Sequence, residues 1–90
     1  MTSPETRRPG DILRRIAYLL EAANEPGFRV RAFRRAANAI EVLPADRLER
    51  MAAQGRLTDL PGVGDVTAGI VAAVLRGETP EYLTKLEDEY

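Results

Sequence analysis

The segment Leu60-Pro61-Gly62-Val63-Gly64 sets two glycines on either side of one apolar residue, between two stretches of helical pattern. Glycine permits positive φ and lets another backbone come close, while Leu60 and Val63 are apolar plugs that hold the turn on a core. Such a turn aims backbone N–H groups outward at the start of the next helix. Free N–H groups and the positive end of the helix dipole together suit an anion, a phosphate group above all. Contacts of this kind fix where a nucleic-acid backbone lies and carry no base identity. The residues that would form the site are Gly62, Val63, Gly64, Asp65 and Val66. The competing reading is a tight turn between two helices with no ligand.

A second cationic feature lies upstream. Arg31, Arg34 and Arg35, with Asn38, fall within about 100° of arc at the helical period, opposite the apolar positions of the same segment. Each guanidinium can hold a phosphate, bidentately where geometry allows, and a solvated helix face is the alternative. The net charge of −1 conceals a gradient along the chain. Residues 1–35 carry eight arginines against four acids, residues 36–77 four against five, and residues 78–90 one lysine against five acids. A chain polarised in this way can present a basic face to an anion although its total charge is near zero.

Other chemistries are excluded by what is missing. With no cysteine and no histidine there is no disulfide, zinc finger, thiol nucleophile or imidazole base. Lys85 is the sole lysine and sits among Glu87, Asp88 and Glu89, as an ordinary surface residue would. No apolar run approaches the roughly 20 residues that span a bilayer, and no signal peptide opens the chain, so a cytoplasmic protein without membrane contact is expected.

Ninety residues suffice for one small domain. Residues 1–10, with two prolines and a glycine, read as a flexible leader to a domain at 11–90. From Asp11, a candidate N-cap, the apolar residues Ile12, Leu13, Ile16, Ala17, Leu19, Leu20 and Ala23 form one stripe and predict a helix over 11–24. Val30, Phe33, Ala36, Ala37 and Ile40 predict a second over 28–42. Pro44 opens a third over 45–54, with Leu48, Met51 and Ala52 inward, and Gly55 stops it. After the loop an apolar helix runs from 65 to about 76, and Thr79-Pro80 starts a last one over 80–89. No strand pattern survives. The fold class is all-α, a compact bundle of four to five short helices, with Ile16, Leu20, Phe33, Ile40, Leu60, Val63 and Ile70 at its centre.

The stretch Arg56 to Gly77, RLTDLPGVGDVTAGIVAAVLRG, resembles the helix-hairpin-helix of DNA-repair proteins. With Phe28 to Ile40, FRVRAFRRAANAI, it resembles the amino-terminal domain of family X, beta-type DNA polymerases, in the bacterial branch that carries a polymerase-and-histidinol-phosphatase (PHP) phosphoesterase domain. The resemblance covers residues 11–90, with the hairpin at 60–64. It implies sequence-independent DNA binding through hairpin amides on phosphates; a monomer is expected, and with few contacts its binding is expected to be weak. It also implies a sodium or potassium ion held, in the DNA complex, by the carbonyls of Thr58, Leu60 and Val63, and no other cofactor. The phosphoesterase would be an adjacent domain, and the chain a fragment of a larger protein.

The departures from that family are as informative. The lysine that forms a Schiff base with a sugar phosphate is matched by Ile70, a second pocket lysine by Val66, and one before the hairpin by Thr58. A family tyrosine becomes Phe33 and a pocket histidine Phe28, while Arg29 keeps the positive charge that holds a terminal phosphate. Arginine stays protonated and cannot form the imine. A sugar-phosphate lyase is therefore disfavoured, and no catalytic residue is expected. Asp65, at the helix start where many relatives have lysine, sets a negative charge beside the phosphate site. With the absent lysines and the overall acidity it supports a rival reading, a protein-interaction or regulatory domain that has lost DNA binding. Tyr18, beside Arg14 and Arg15, fits base stacking and contact with a neighbouring domain equally well.

Overall fold

In the computed structural model, which describes residues 8–89, the chain forms five α-helices: α1 Pro9–Ala22, α2 Gly27–Glu41, α3 Ala45–Ala53, α4 Asp65–Leu75 and α5 Glu81–Glu89. A single 3-10 turn, Leu57–Asp59, links α3 to the hairpin loop, and no strand occurs among the described residues. None of these helices is long and apolar enough to cross a membrane.

α1 begins earlier than its apolar stripe predicts. Its first turn contains Pro9 and Gly10, and Arg8 stands at the N-cap, with Asp11 in the first turn. Proline at N1 has its φ already set for a helix and has no N–H to leave orphaned, so it starts the helix without a side-chain cap. The expected leader therefore loses Pro9 and Gly10 to α1, and its residues 1–7 lie outside the described residues. α1 also ends sooner, at Ala22. Asn24 takes a left-handed conformation (φ 62°), and Glu25 N–H reaches back to Leu20 C=O at 3.0 Å. This Schellman-type closure is one that asparagine accepts more readily than most residues. At the other end of the chain Pro80 is a cap rather than the first helical residue, its carbonyl accepting Thr84 N–H at 3.2 Å.

α1 is the central strut, packed on α2, α4 and α5, while α3 closes over α4 and the 3-10 turn. Leu13, Ile16 and Leu20 of α1, Val71 of α4 and Leu83 of α5 are almost wholly buried. Around them lie Phe33, Ile40, Val63 and Ile70, as the spacing predicts, whereas Leu60 is only partly buried. Leu57, in the 3-10 turn, is a core residue that periodicity does not reveal. Tyr82 of α5 packs its ring on Phe33, centroids 5.2 Å apart and tilted by 51°.

The outer seam between α1 and α2 is tied by Arg14. Its Nη2 donates to Glu41 Oε1 at 2.6 Å and to Asn38 Oδ1 at 2.7 Å, and its Nε donates to Glu41 Oε2 at 3.2 Å. The hydrogen bonds from Arg14 hold the Glu41 carboxyl below its ordinary value of 4.5. A carboxyl that ionises more easily when folded adds stability above that value and loses it as pH falls through the lowered one. Glu41→Gln is therefore expected to lower the thermal midpoint slightly at pH 7 and by less at pH 3. The effect is small because the pair is solvent-screened, its side chains 43% and 40% exposed. An equal deficit at both pH values would rule out the charge as its cause.

Candidate functional site

The 3-10 turn delivers the chain to the loop with Leu57 seated in the core, and Val63, 6% exposed, seats its far end. Between these anchors Gly62 turns out at φ 91°, a conformation that side chains resist. Its surroundings impose the same choice, since a Cβ on Gly62 would lie 2.8 Å from Cγ of Arg35 and 3.4 Å from that residue's carbonyl oxygen. The stem of Arg35 thus lies directly on the hairpin.

Gly64, not Asp65, caps α4. Its extended backbone carries the carbonyl that accepts the first helical bond, from Ala68 N–H at 2.8 Å. The buried Thr67, at the third helical position, accepts Gly64 N–H with its hydroxyl at 2.9 Å, one half of a capping box. With Gly64 at the cap position, Asp65 is the first helical residue, exposed to solvent. The amides of the loop can then be accounted for one by one. Val63 N–H closes on Leu60 C=O at 3.1 Å and Gly64 N–H on Thr67. Those of Gly62, Asp65, Val66 and Thr67 have no acceptor among the described residues, the last three being first-turn amides that a helix leaves unpaired.

Beside this loop runs a groove of about 530 Å³ whose walls include Phe28, Arg29 and Phe33 of α2, Asp65 and Val66 of α4, and Tyr82 of α5. Phe28 and Val66, both lining it, are 65% and 59% exposed. Arg29 contributes the positive charge of the wall, and its Nη1 also donates to Glu25 Oε1 at 3.0 Å.

The arginines of α2 do not form one bare cationic face. Arg35 lies on the hairpin, whereas Arg31 and Arg34 border a separate depression with Glu21, Asn24 and Glu25. Arg34 Nη2 is bonded to Glu21 Oε1 at 3.0 Å, and Asn38, expected on the same face, is engaged by Arg14. Helical spacing places these residues on one side of α2 but cannot show that α1 lays acids against part of it. Among the described residues, Arg31 and Arg35 have no carboxylate in ion-pair range.

Ile70, which stands where the resemblance puts a nucleophilic lysine, is a core residue at 5% exposure. Lys85 lies on α5 and is paired with Glu81 at 3.3 Å. The carbonyls of Thr58 and Val63 accept no backbone hydrogen bond among the described residues, and Leu60 C=O keeps one lone pair after accepting Val63 N–H. Uncharged carbonyl oxygens are the type of ligand that a monovalent cation takes. No group of three or more carboxylates that could hold a metal occurs among the described residues.

Sequence reasoning missed the hydroxyl of Thr67, which has a signal in the spacing: a threonine three residues after the cap. It also missed the carboxylate partners of the α2 arginines. Glu25 stands four residues before Arg29, a legible spacing, while Glu21 and Arg34 meet only through the packing of α1 on α2.

A family model described as a helix-hairpin-helix domain matches residues 7–80. No curated protein and no solved structure matches the chain.

Proposed function

The chain belongs to the helix-hairpin-helix domain family, and from that premise we propose that it is a DNA-binding module that grips backbone phosphates without reading sequence. One observation carries this reading: the unpaired amides of Gly62, Asp65 and Val66 share a surface with two arginines of α2, Arg35 lying on the hairpin and Arg29 lining the adjoining groove. A phosphate on the first turn of α4 meets N–H donors and the positive end of the helix dipole, and either arginine can take the next one. Sodium or potassium at the carbonyls of Thr58, Leu60 and Val63 belongs to the DNA-bound state in this reading. An attached domain, a PHP-type phosphoesterase or another repair domain, which the module would keep on its substrate, is part of the same reading.

Titration of duplex, gapped and single-stranded DNA at two salt concentrations tests the proposal. Non-specific binding with Kd on the order of 10⁻⁴–10⁻⁶ M is expected, its log–log salt slope about −0.9 for each phosphate neutralised. Arg35→Ala is expected to weaken binding to all sequences alike, and Arg34→Ala, already neutralised by Glu21, to do less. Salt-independent affinity, or equal losses from the two variants, would count against the site.

The same reading leaves the domain without lyase activity. An imine needs an unprotonated amine at the sugar, and Ile70 and Val66 supply none. Borohydride trapping on DNA with an abasic 5′ end is expected to give no adduct beyond that of the α-amine, so a strong adduct in an N-terminally blocked protein would contradict it. The rival reading, a protein-interaction domain, is favoured by one observation, the exposed Asp65 carboxylate at the start of α4. An absence of salt-dependent DNA binding would leave it as the better account.

A further inference from the structure

We propose that Glu21, at the end of α1, and Glu25, in the turn that follows it, are built-in competitors of DNA phosphate for the arginines of α2 and hold the domain's affinity down. This rests on the DNA-binding reading above and adds to it what limits the grip. Arg29 Nη1 meets Glu25 Oε1 and Arg34 Nη2 meets Glu21 Oε1, each at 3.0 Å, while Arg31 borders the depression between the two acids. The placement is fixed by backbone. The turn at Asn24 (φ 62°), closed by Glu25 N–H on Leu20 C=O, holds both acids against the first half of α2.

A carboxylate and a phosphate offer a guanidinium the same kind of partner, an anionic oxygen. Each arginine has five N–H donors, so one hydrogen bond to a glutamate does not block a second ligand sterically. It neutralises the charge, however, and puts a negative oxygen beside the place an incoming phosphate must take. Phosphate then either displaces the glutamate or shares the guanidinium against repulsion. Arg35 has no such competitor among the described residues, so the hairpin side of α2 stays available while the side toward α1 is muted.

The test is fluorescence titration of a labelled duplex oligonucleotide with the wild-type chain and with Glu21→Gln/Glu25→Gln. A charge-matched control is Glu49→Gln/Asp88→Asn, which changes exposed acids of α3 and α5. Since exposed ion pairs are weak, the affinity gain expected from freeing two arginines is about threefold to tenfold over the control. The salt slope should also steepen, by up to roughly 0.9 for each arginine that now neutralises a phosphate. Adding Arg29→Ala and Arg34→Ala to the double variant should erase the gain. A gain no larger than the control's, or one that survives loss of both arginines, overturns the competition while leaving the DNA-binding reading intact. Failure of every variant, wild type included, to bind DNA overturns both.

Discussion

Phe33→Ala is expected to remove a large part of the domain's stability. Phe33 is 3% exposed, on the face of α2 that closes the core, with its ring against Tyr82 of α5. Truncating a buried phenylalanine costs about 3–5 kcal/mol, the lost transfer energy and the cavity together. A domain of this size has only about 5–13 kcal/mol at roughly 0.05–0.15 kcal/mol per residue. In a small domain each kcal/mol moves the thermal midpoint by about 4–8 °C, so a drop on the order of 15–30 °C follows. The damage should also be local. Tyr82 loses the ring it packs on, so the groove loses a wall and α5 its aromatic contact with α2. Phe33→Leu, which keeps most of the volume, should cost much less. Thermal melts followed by circular dichroism decide the matter, and a shift below about 5 °C for Phe33→Ala would mean that the core does not depend on this ring.

The parts legible in the sequence are those set by local periodicity. The apolar spacing of α1 and α2 picks out the buried faces almost residue by residue, because a helix that packs on one side repeats its contacts every three to four positions. The boundaries are less legible because several residues can cap. Asp11 looks like a cap by type, yet it falls in the first turn of α1, where Arg8 holds the cap position and Pro9 starts the helix, and it is Gly64 that caps α4. Leu57 escapes because a 3-10 turn of three residues has no periodicity to read. The site is half legible for a similar reason. The loop and its glycines announce themselves, and Gly62 is in the conformation that only glycine adopts freely. Whether a given arginine is available depends on what α1 sets beside it, and Glu21 and Arg34 stand thirteen residues apart. Pattern within one helix carries no information about such a pair.

Asp65→Lys is expected to raise DNA affinity about tenfold at low salt and to steepen the salt slope by about 0.9, the increment for one more neutralised phosphate. The aspartate is the first residue of α4, exposed, and its own amide and that of Val66 have no acceptor among the described residues. A phosphate on those amides would sit against its carboxylate, so the native residue stabilises the helix and repels the ligand from the same position. Reversing the charge turns repulsion into attraction, and Asp65→Asn, which only removes the repulsion, should fall between. The cost to the fold is limited, because Gly64 and Thr67 supply the cap. Asp65 adds only its interaction with the helix dipole, worth about 0.3–1 kcal/mol. A net loss of about the larger figure would lower the thermal midpoint by several degrees without unfolding the domain at 25 °C. Affinity and stability should therefore move in opposite directions along Asp, Asn, Lys. If the three proteins bind DNA equally, phosphates do not approach the start of α4 and the hairpin is not the contact. If affinity rises along the series but the salt slope does not, the lysine is acting through the overall field and not on a phosphate seated at the loop.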